Sequence, residues 1–509
     1  MAGHDLPAAF RSASQLRWRC TRIQPNIVAC CDARSIIVIR PGGILPAQHI
    51  EDARKPMQSQ SLSYEAGPTR RRTYSIYAFG ALGGILSGYD NGVIAGALLF
   101  IRKDMLLSPQ LQGIMVSSLL LGAMIGSFTS GQLADRLGQR KLLIYAGLAF
   151  LITSLLAAAA PNATVLIGVR VLIGVAAGTA SVQVPLYLSE IAPKRARGGL
   201  ASLNQLSIAT GVFMSYLVCY LFSAGGQWRW MFAFAALPSL LLTLGMLAQP
   251  DSPRWLVRRG RVKEALSVLR MTNPPAEVDE ALQQIQKTNA QPSVPLRRLL
   301  ASKGLRRTLV SVFGLAVLQQ ALGINTILYY APTILRAAGF GESAALLNSV
   351  GLGLLSIFMT IGAARVVDKV GRRPLLIVGA LLMGASMAAL ASVFGNGSLA
   401  SDTGRVVAVA ALATFKAAFS FSWGPLVWVL MPELLPTKVR AKIMGMAALC
   451  TFLTNFTVAS LFPVLLHAGA GFVFIIFASV CVLASCFAAF HLRETTGLSL
   501  EEIEAQTRD

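Results

Sequence analysis

From Tyr74 to Leu492 the chain is a succession of apolar stretches separated by short polar loops. Crossing a bilayer as a helix takes about 20 mostly apolar residues, because every backbone N–H and C=O must be bonded inside the segment. Twelve spans are read, at 74–100, 111–134, 142–160, 164–188, 201–223, 228–249, 306–335, 344–367, 374–394, 405–431, 443–466 and 469–492. Hydrophobic residues make up 54% of the chain and charged residues 13%, which indicates an all-α, polytopic membrane protein embedded in a lipid bilayer rather than a soluble domain. A net charge of +22 would suggest nucleic acid in a soluble protein. Here the basic residues cluster in short loops after spans two, four, eight and ten and in a longer polar segment, as the positive-inside rule requires, so no nucleic-acid partner is expected.

That bias puts both termini and the segment 250–305 on the cytoplasmic side of the plasma membrane. Within the segment, RVKEALSVLR and AEVDEALQQIQK have helical periodicity and are expected to form amphipathic helices. The domain reading is an N-terminal extension (1–73), a six-helix bundle (74–249), a helical linker (250–305), a second six-helix bundle (306–492) and a tail (493–509). Of 23 acidic residues, Asp90 alone falls inside a span, between Gly88 and Gly92. A charge at that depth costs at least about 2.5–3.5 kcal/mol on insertion scales, so it faces a partner or a watery cavity.

The two bundles repeat each other. GQLADRLGQRK after span two matches ARVVDKVGRRP after span eight, with Asp135 and Asp368 233 residues apart. Glu190-x-x-Pro193-x-x-x-Arg197 after span four matches Glu433-x-x-Pro436-x-x-x-Arg440 after span ten, an offset of 243. Two unrelated motifs at nearly equal offset imply six-plus-six helices related by an axis along the membrane normal, with substrate held between the halves at mid-depth. GYD in span one, the two basic loops, PLYLSEIAPKRARG, PDSPRWLVRRGR, QQALGINTILYYAP and SWGPLVWVLMPELLPTKVRAK together resemble the sugar porter family of the major facilitator superfamily over about residues 74–504. The C-terminal RETTG departs from the PETKG usual in that family.

The resemblance implies proton-coupled symport of a pentose or hexose by alternating access, with H+ and a sugar or polyol as partners. A myo-inositol symporter and a facilitative uniporter are the alternatives, and a non-transporting sugar sensor is a more distant one. Burial favours the neutral form of a carboxyl and a nearby cation favours its anion. Asp90 with a movable contact to Arg170, the one Arg or Lys well inside the first half's spans, can therefore take up and release a proton. In the symporters it resembles these two positions form the coupling pair; the plainer reading is a static ion pair tying spans one and four.

A monosaccharide presents hydroxyls that both donate and accept, which suits uncharged amides. Span seven offers Gln319, Gln320, Asn325 and Tyr329. Gln320, Gly323/Ile324 and Ile327 lie on one arc, Gln319 and Tyr329 fall off it by about 100°, and a helix break at Gly323 would let Gln319, Gln320, Asn325 and Tyr329 converge. The resemblance adds Gln205, Trp428, Ser356 and Asn455 as sugar-contacting positions. Ser356, Ser420 and Phe452 stand where many relatives have Asn, a larger polar residue and Trp, so the sugar stays open. Interhelical hydrogen-bonding glue is the plainer reading of any one of these polar residues.

Lys416 is unexpected in span ten, about 16 Å along the helix and on one face with Ser420 and Trp423. It is read either as snorkelling to the outer surface or as a cation that favours an anionic substrate. Asp135, Arg136, Arg140, Glu190 and Arg197, with Asp368, Arg372, Arg373, Glu433 and Arg440, are read as a cytoplasmic gate that pairs across the halves in the outward-open state and parts in the inward-open one. Gln139 replaces the first Arg of the usual GRR in the first copy, removing one such link. No nucleophile–base set or phosphate loop is present, and the seven cysteines show no pairing or zinc spacing. A non-enzymatic carrier without cofactor or metal, functional as a monomer, is expected.

Residues 1–73 are Arg-rich and hold no apolar segment long enough to span. They are read as a disordered tail, with Met57 as a start that would give a short cytoplasmic N-terminus. Asp5, Asp32, Glu51 and Asp52 argue against a transit peptide. Sequencing the N-terminus of the native protein is expected to find it at or after Met57; a mature end well before Met57 would exclude this.

Overall fold

The computed structural model describes residues 19–24, 27–32, 35–40, 43–44, 70–191, 197–290, 303–396, 401–435, 440–492 and 494. Residues 1–67 and 68–509 are separate compact units. In the first, β1 (Arg19–Gln24), β2 (Ile27–Asp32), β3 (Ser35–Arg40) and β4 (Gly43–Ile44) form an antiparallel sheet in that order. Cys20 lies opposite Cys30, and Cys30 opposite Ile37. Where the sequence reading expects a disordered tail, the structure has hairpins. Runs rich in β-branched residues, such as SIIVIR, separated by residue pairs favour that arrangement.

The second unit is helical. Its first half contains α1 (Arg70–Asp104), α2 (Pro109–Leu137), α3 (Gln139–Ala158), α4 (Ala163–Ile191), α5 (Arg197–Leu221), α6 (Trp228–Ala233) and α7 (Ala236–Leu247). Three short helices follow: α8 (Pro253–Arg258), α9 (Val262–Thr272) and α10 (Val278–Ala290). These include the two amphipathic helices read from the sequence. Arg261 opens α9 with a two-pronged bond to Glu264, both contacts 2.6 Å, and that bond raises the Arg261 pKa. The second half contains α11 (Lys303–Ala321), α12 (Ile324–Ala337), α13 (Glu342–Val370), α14 (Arg372–Gly395), α15 (Asp402–Phe421), α16 (Trp423–Leu434), α17 (Arg440–Ala468) and α18 (Ala470–His491).

Eleven helical segments among the described residues are long and apolar enough to cross a membrane. They match eleven of the twelve spans read from sequence. The remaining one is α5, whose Asn204, Gln205 and Ser207 lower its mean hydropathy. Three spans are divided by a break, the sixth at Phe234–Ala235 between α6 and α7. Gly323, at φ +88°, separates α11 from α12 as the off-arc amides predict. Ser422, at φ −122° and ψ −88°, separates α15 from α16, a break the sequence reading misses. Pro425 explains it: the ring has no N–H for the carbonyl of Phe421 and would clash with it.

Glycine sets how closely the helices approach. Gly84, Gly88, Gly92 and Gly96 recur every fourth residue on one face of α1 and lie against α5; a Cβ on Gly88 would sit 2.0 Å from the Ile208 carbonyl oxygen. α2 and α4 interlock in the same way, with Gly122 and Gly126 against the carbonyls of Val171 and Val175, and Gly174 and Gly178 against those of Leu119 and Ala123. Without a hydrophobic force between helices in lipid, such small-residue contacts supply the packing.

Across the two halves, α2 packs on α17 and α5 on α13. These are spans two with eleven and five with eight, which exchange when the halves are swapped. The repeat extends to backbone detail. Gly138 (φ +87°, ψ 150°) and Gly371 (φ +97°, ψ 151°) turn the chain in the same way at matching positions inside the two basic motifs. Both need glycine because positive φ is costly for other residues.

The halves meet at the end of the bundle opposite α8–α10. There Glu342 Oε1 pairs with Lys103 Nζ at 2.6 Å and with Arg336 Nη1 at 3.4 Å, and the Tyr216 hydroxyl donates to the Leu328 carbonyl at 2.6 Å. Gly122→Ala is expected to destabilise the protein by about 1–3 kcal/mol through overpacking, read as a lower unfolding temperature in detergent. Gly131→Ala, with nothing within 4 Å, is the control and should leave it unchanged; equal effects would contradict the close-packing account.

Candidate functional site

The glycine face of α1 leaves Asp90 inside the first half at 2% exposure. Arg170, on α4, is 0% exposed. Its Nε donates to the Met115 carbonyl at 2.8 Å and its Nη2 to that of Val116 at 3.5 Å, so α2 fixes the guanidinium. The two charges act on one another, yet among the described residues no ion pair within 4 Å joins them. Asp90 Oδ2 and Arg170 Nη1 are both buried without a hydrogen-bond partner. An unsatisfied buried pair is energetically costly, and each atom remains available to bind something else.

Beside this pair, a chain of hydrogen-bonded side chains starts at Asn91 and runs into the second half. Asn91, next to Asp90, accepts from the Tyr329 hydroxyl at 3.3 Å. That hydroxyl in turn accepts from Asn455 Nδ2 of α17 at 3.4 Å. Tyr329 is also an electrostatic neighbour of both Asp90 and Arg170. Across the Gly323 break, Asn325 Nδ2 of α12 donates to Gln320 Oε1 of α11 at 2.5 Å. Gln320 Nε2 donates to Gln319 Oε1 at 3.3 Å, and Gln319 Nε2 to the Trp423 carbonyl at 2.9 Å. That carbonyl opens α16, so the breaks at Gly323 and Ser422 meet at this amide.

Ser356 of α13 and Ser420 of α15 share a hydrogen bond at 2.9 Å. The structure therefore joins Gln319, Gln320 and Asn325 in one cluster, Tyr329 and Asn455 in a second, and Ser356 with Ser420 in a third. Gln205 is half-buried on α5 and makes no hydrogen bond among the described residues. Trp428 is 44% exposed and adds no hydrogen bond to these clusters.

At the α8–α10 end, Asp135 and Glu190 of the first half bond to the segment that carries α8, and Arg372 bonds to Glu433 within the second half. Asp135 Oδ1 pairs with Arg258 Nη1 at 2.8 Å, and the Ser252 hydroxyl donates to Glu190. Arg140 donates to the carbonyls of Met246 and Leu247 at 3.2 and 2.5 Å, and Arg136 is exposed. In the second half Arg372 pairs with Glu433 at 3.2 Å. The backbone N–H groups of Arg372 and Arg373 each donate to Glu494 at 3.0 Å, which is the Glu of RETTG. The side chains of Arg197, Asp368 and Arg440 lie outside the described residues.

Two polar groups escape the sequence reading. Asn91 had a signal in its place beside Asp90. Gln183, 0% exposed on α4, has neither amide atom partnered; the signal was a lone amide in an apolar stretch.

A family model described as "Sugar (and other) transporter" matches residues 76–506. The glucose transporter GlcP of Staphylococcus epidermidis is 42% identical over 437 residues, covering 86% of this chain and 97% of that protein. The galactose-proton symporter of Escherichia coli is 37% identical over 435 residues, covering 85% and 94%. The inward-open structure of the xylose transporter XylE from E. coli is similar at a TM-score of 0.74 and 31% identity, covering 85% of this chain and 99% of that one. The chain belongs to the sugar transporter family, within the major facilitator superfamily.

Proposed function

We propose that the protein carries a monosaccharide, a pentose or hexose, across the plasma membrane together with a proton. The observation that carries this reading is the buried Asp90–Arg170 pair, each member with an unpartnered atom, linked through Asn91 and Tyr329 toward the amides of the second half. The relatives named for glucose, xylose and galactose–proton transport support the cargo and the coupling.

The amides satisfy one another here. A sugar entering between the halves would replace those bonds with bonds to its own hydroxyls, at little net cost because each amide both donates and accepts. Tyr329 would sense that exchange, since it bonds both Asn455 and the neighbour of Asp90. When α12 moves, Asp90 either approaches Arg170 as an anion or withdraws from it and holds a proton. Sugar and proton thus cross in one cycle.

With the halves joined by Lys103 and Glu342 at one end, alternating access places the opening at the α8–α10 end. The positive-inside bias assigns that end, and both termini, to the cytoplasm. In this reading the motif charges pair across the halves when the carrier opens outward and part when it opens inward.

Asp90→Asn is expected to abolish uptake against a concentration gradient while keeping sugar exchange, measured in proteoliposomes. Full concentrative uptake by that variant would contradict the coupling role. Gln320→Ala removes two contacts of the amide cluster and should weaken apparent sugar affinity about tenfold, or about 1.4 kcal/mol. An unchanged KM would place the sugar elsewhere.

A further inference from the structure

Lys416 has no part in the cycle just described, yet it is one of the least affordable residues in the bundle. It is only 9% exposed on α15, which begins at Asp402, so it lies about 21 Å along the helix from that end. A lysine stem does not reach the surface from there, which removes the snorkelling reading. Among the described residues Lys416 has no hydrogen bond and no ion pair. α15 packs on α12, α13, α14 and α16, and none of these sets a carboxylate beside it. α12 and α14 contain no acidic residue. Glu342, at the start of α13, is held by Lys103 and Arg336, and Glu433 of α16 by Arg372. Asp402 pairs with Arg405 at 3.3 Å. Asp368 lies near the other end of α13, about 24 Å of helix from the level of Lys416.

Its surroundings are those of the polar clusters. Ser420, one turn on along the same face, hydrogen-bonds Ser356. Spans eight and ten run in the same direction, so Lys416 stands level with Leu352, about 6 Å of helix from that serine pair. The second half thus holds an uncompensated cation one turn from hydroxyls that suit a sugar.

We propose that Lys416 receives the carboxylate of an acidic sugar, so that the preferred cargo is a hexuronate-type monoanion rather than a neutral monosaccharide. A buried ammonium without a counter-charge is strongly disfavoured; cargo that brings the counter-charge removes that cost on binding. One cation matches one carboxylate. A phosphomonoester, with about −1.5 to −2 charge at pH 7, carries more negative charge than one ammonium balances, and Arg170 is fixed on α2 by the Met115 and Val116 carbonyls. The inference rests on the sugar-carrier reading but not on proton coupling.

The test is ligand binding to the purified protein without any gradient, followed by intrinsic tryptophan fluorescence, with galacturonate, glucuronate, galactose, glucose and glucose 6-phosphate. The uronates should bind at least tenfold tighter than their parent hexoses. Lys416→Met should remove that preference and Lys416→Arg should keep it. Neutral hexoses binding as tightly as uronates to the wild type, a preference unchanged in Lys416→Met, or glucose 6-phosphate binding tightest would each overturn the assignment. The wild-type comparison decides it even if a variant fails to fold. Loss of gradient-driven uptake with the uronate preference intact would sink the coupling reading alone.

Discussion

A carboxylate and a guanidinium lie buried in the same half of a membrane protein and do not satisfy each other. The low dielectric makes their attraction strong and their separate burial costly. Asp90 keeps an orphan oxygen and Arg170 an orphan nitrogen, while Met115 and Val116 hold the rest of the guanidinium. In that arrangement a small movement of α1 or α12 changes what Asp90 gains from being charged. A packed core has discrete arrangements rather than a continuum, and the proposed coupling needs two of them at this carboxyl. Its neighbour Asn91 is hydrogen-bonded to Tyr329 of the opposite half.

The remainder of the architecture makes that movement feasible. Glycines every fourth residue seat α1 against α5 by backbone contact, and the paired glycines of α2 and α4 do the same around Arg170. Each half is thereby stiff. Between the halves the contacts are repeated by symmetry, α2 on α17 and α5 on α13, so one half can rock on the other about the site between them. The breaks at Gly323 and Ser422 put the least regular backbone beside the amides. Non-helical backbone at membrane depth is tolerated where protein or a cavity covers it.

Much of this was legible in the sequence for definable reasons. Span positions follow from length and hydropathy alone. The break at Gly323 could be read because Gln319 and Tyr329 did not share an arc with Gln320. The break at Ser422 had its cause in Pro425, but a serine is not a residue that announces a bend, and span ten was read as continuous. Asp90 and Arg170 were found because a charge in an apolar stretch stands out. The absence of an ion pair between them was not legible, since it depends on which carbonyls of α2 reach the guanidinium. The extension was read as a tail because no stretch could span a membrane; its short β-branched runs carried the hairpin signal instead. The substrate-contact role of Trp428 rested on resemblance, and the structure leaves its ring outside the hydrogen-bonded clusters.

The central claim is that a proton moves whenever sugar does. The most direct measurement is internal pH, reported by a trapped dye, in sealed proteoliposomes given sugar from outside with no pre-formed gradient. Sugar entry is predicted to acidify the lumen in step with uptake, in fixed proportion at every sugar concentration. Sugar entry with the internal pH unmoved would contradict the account.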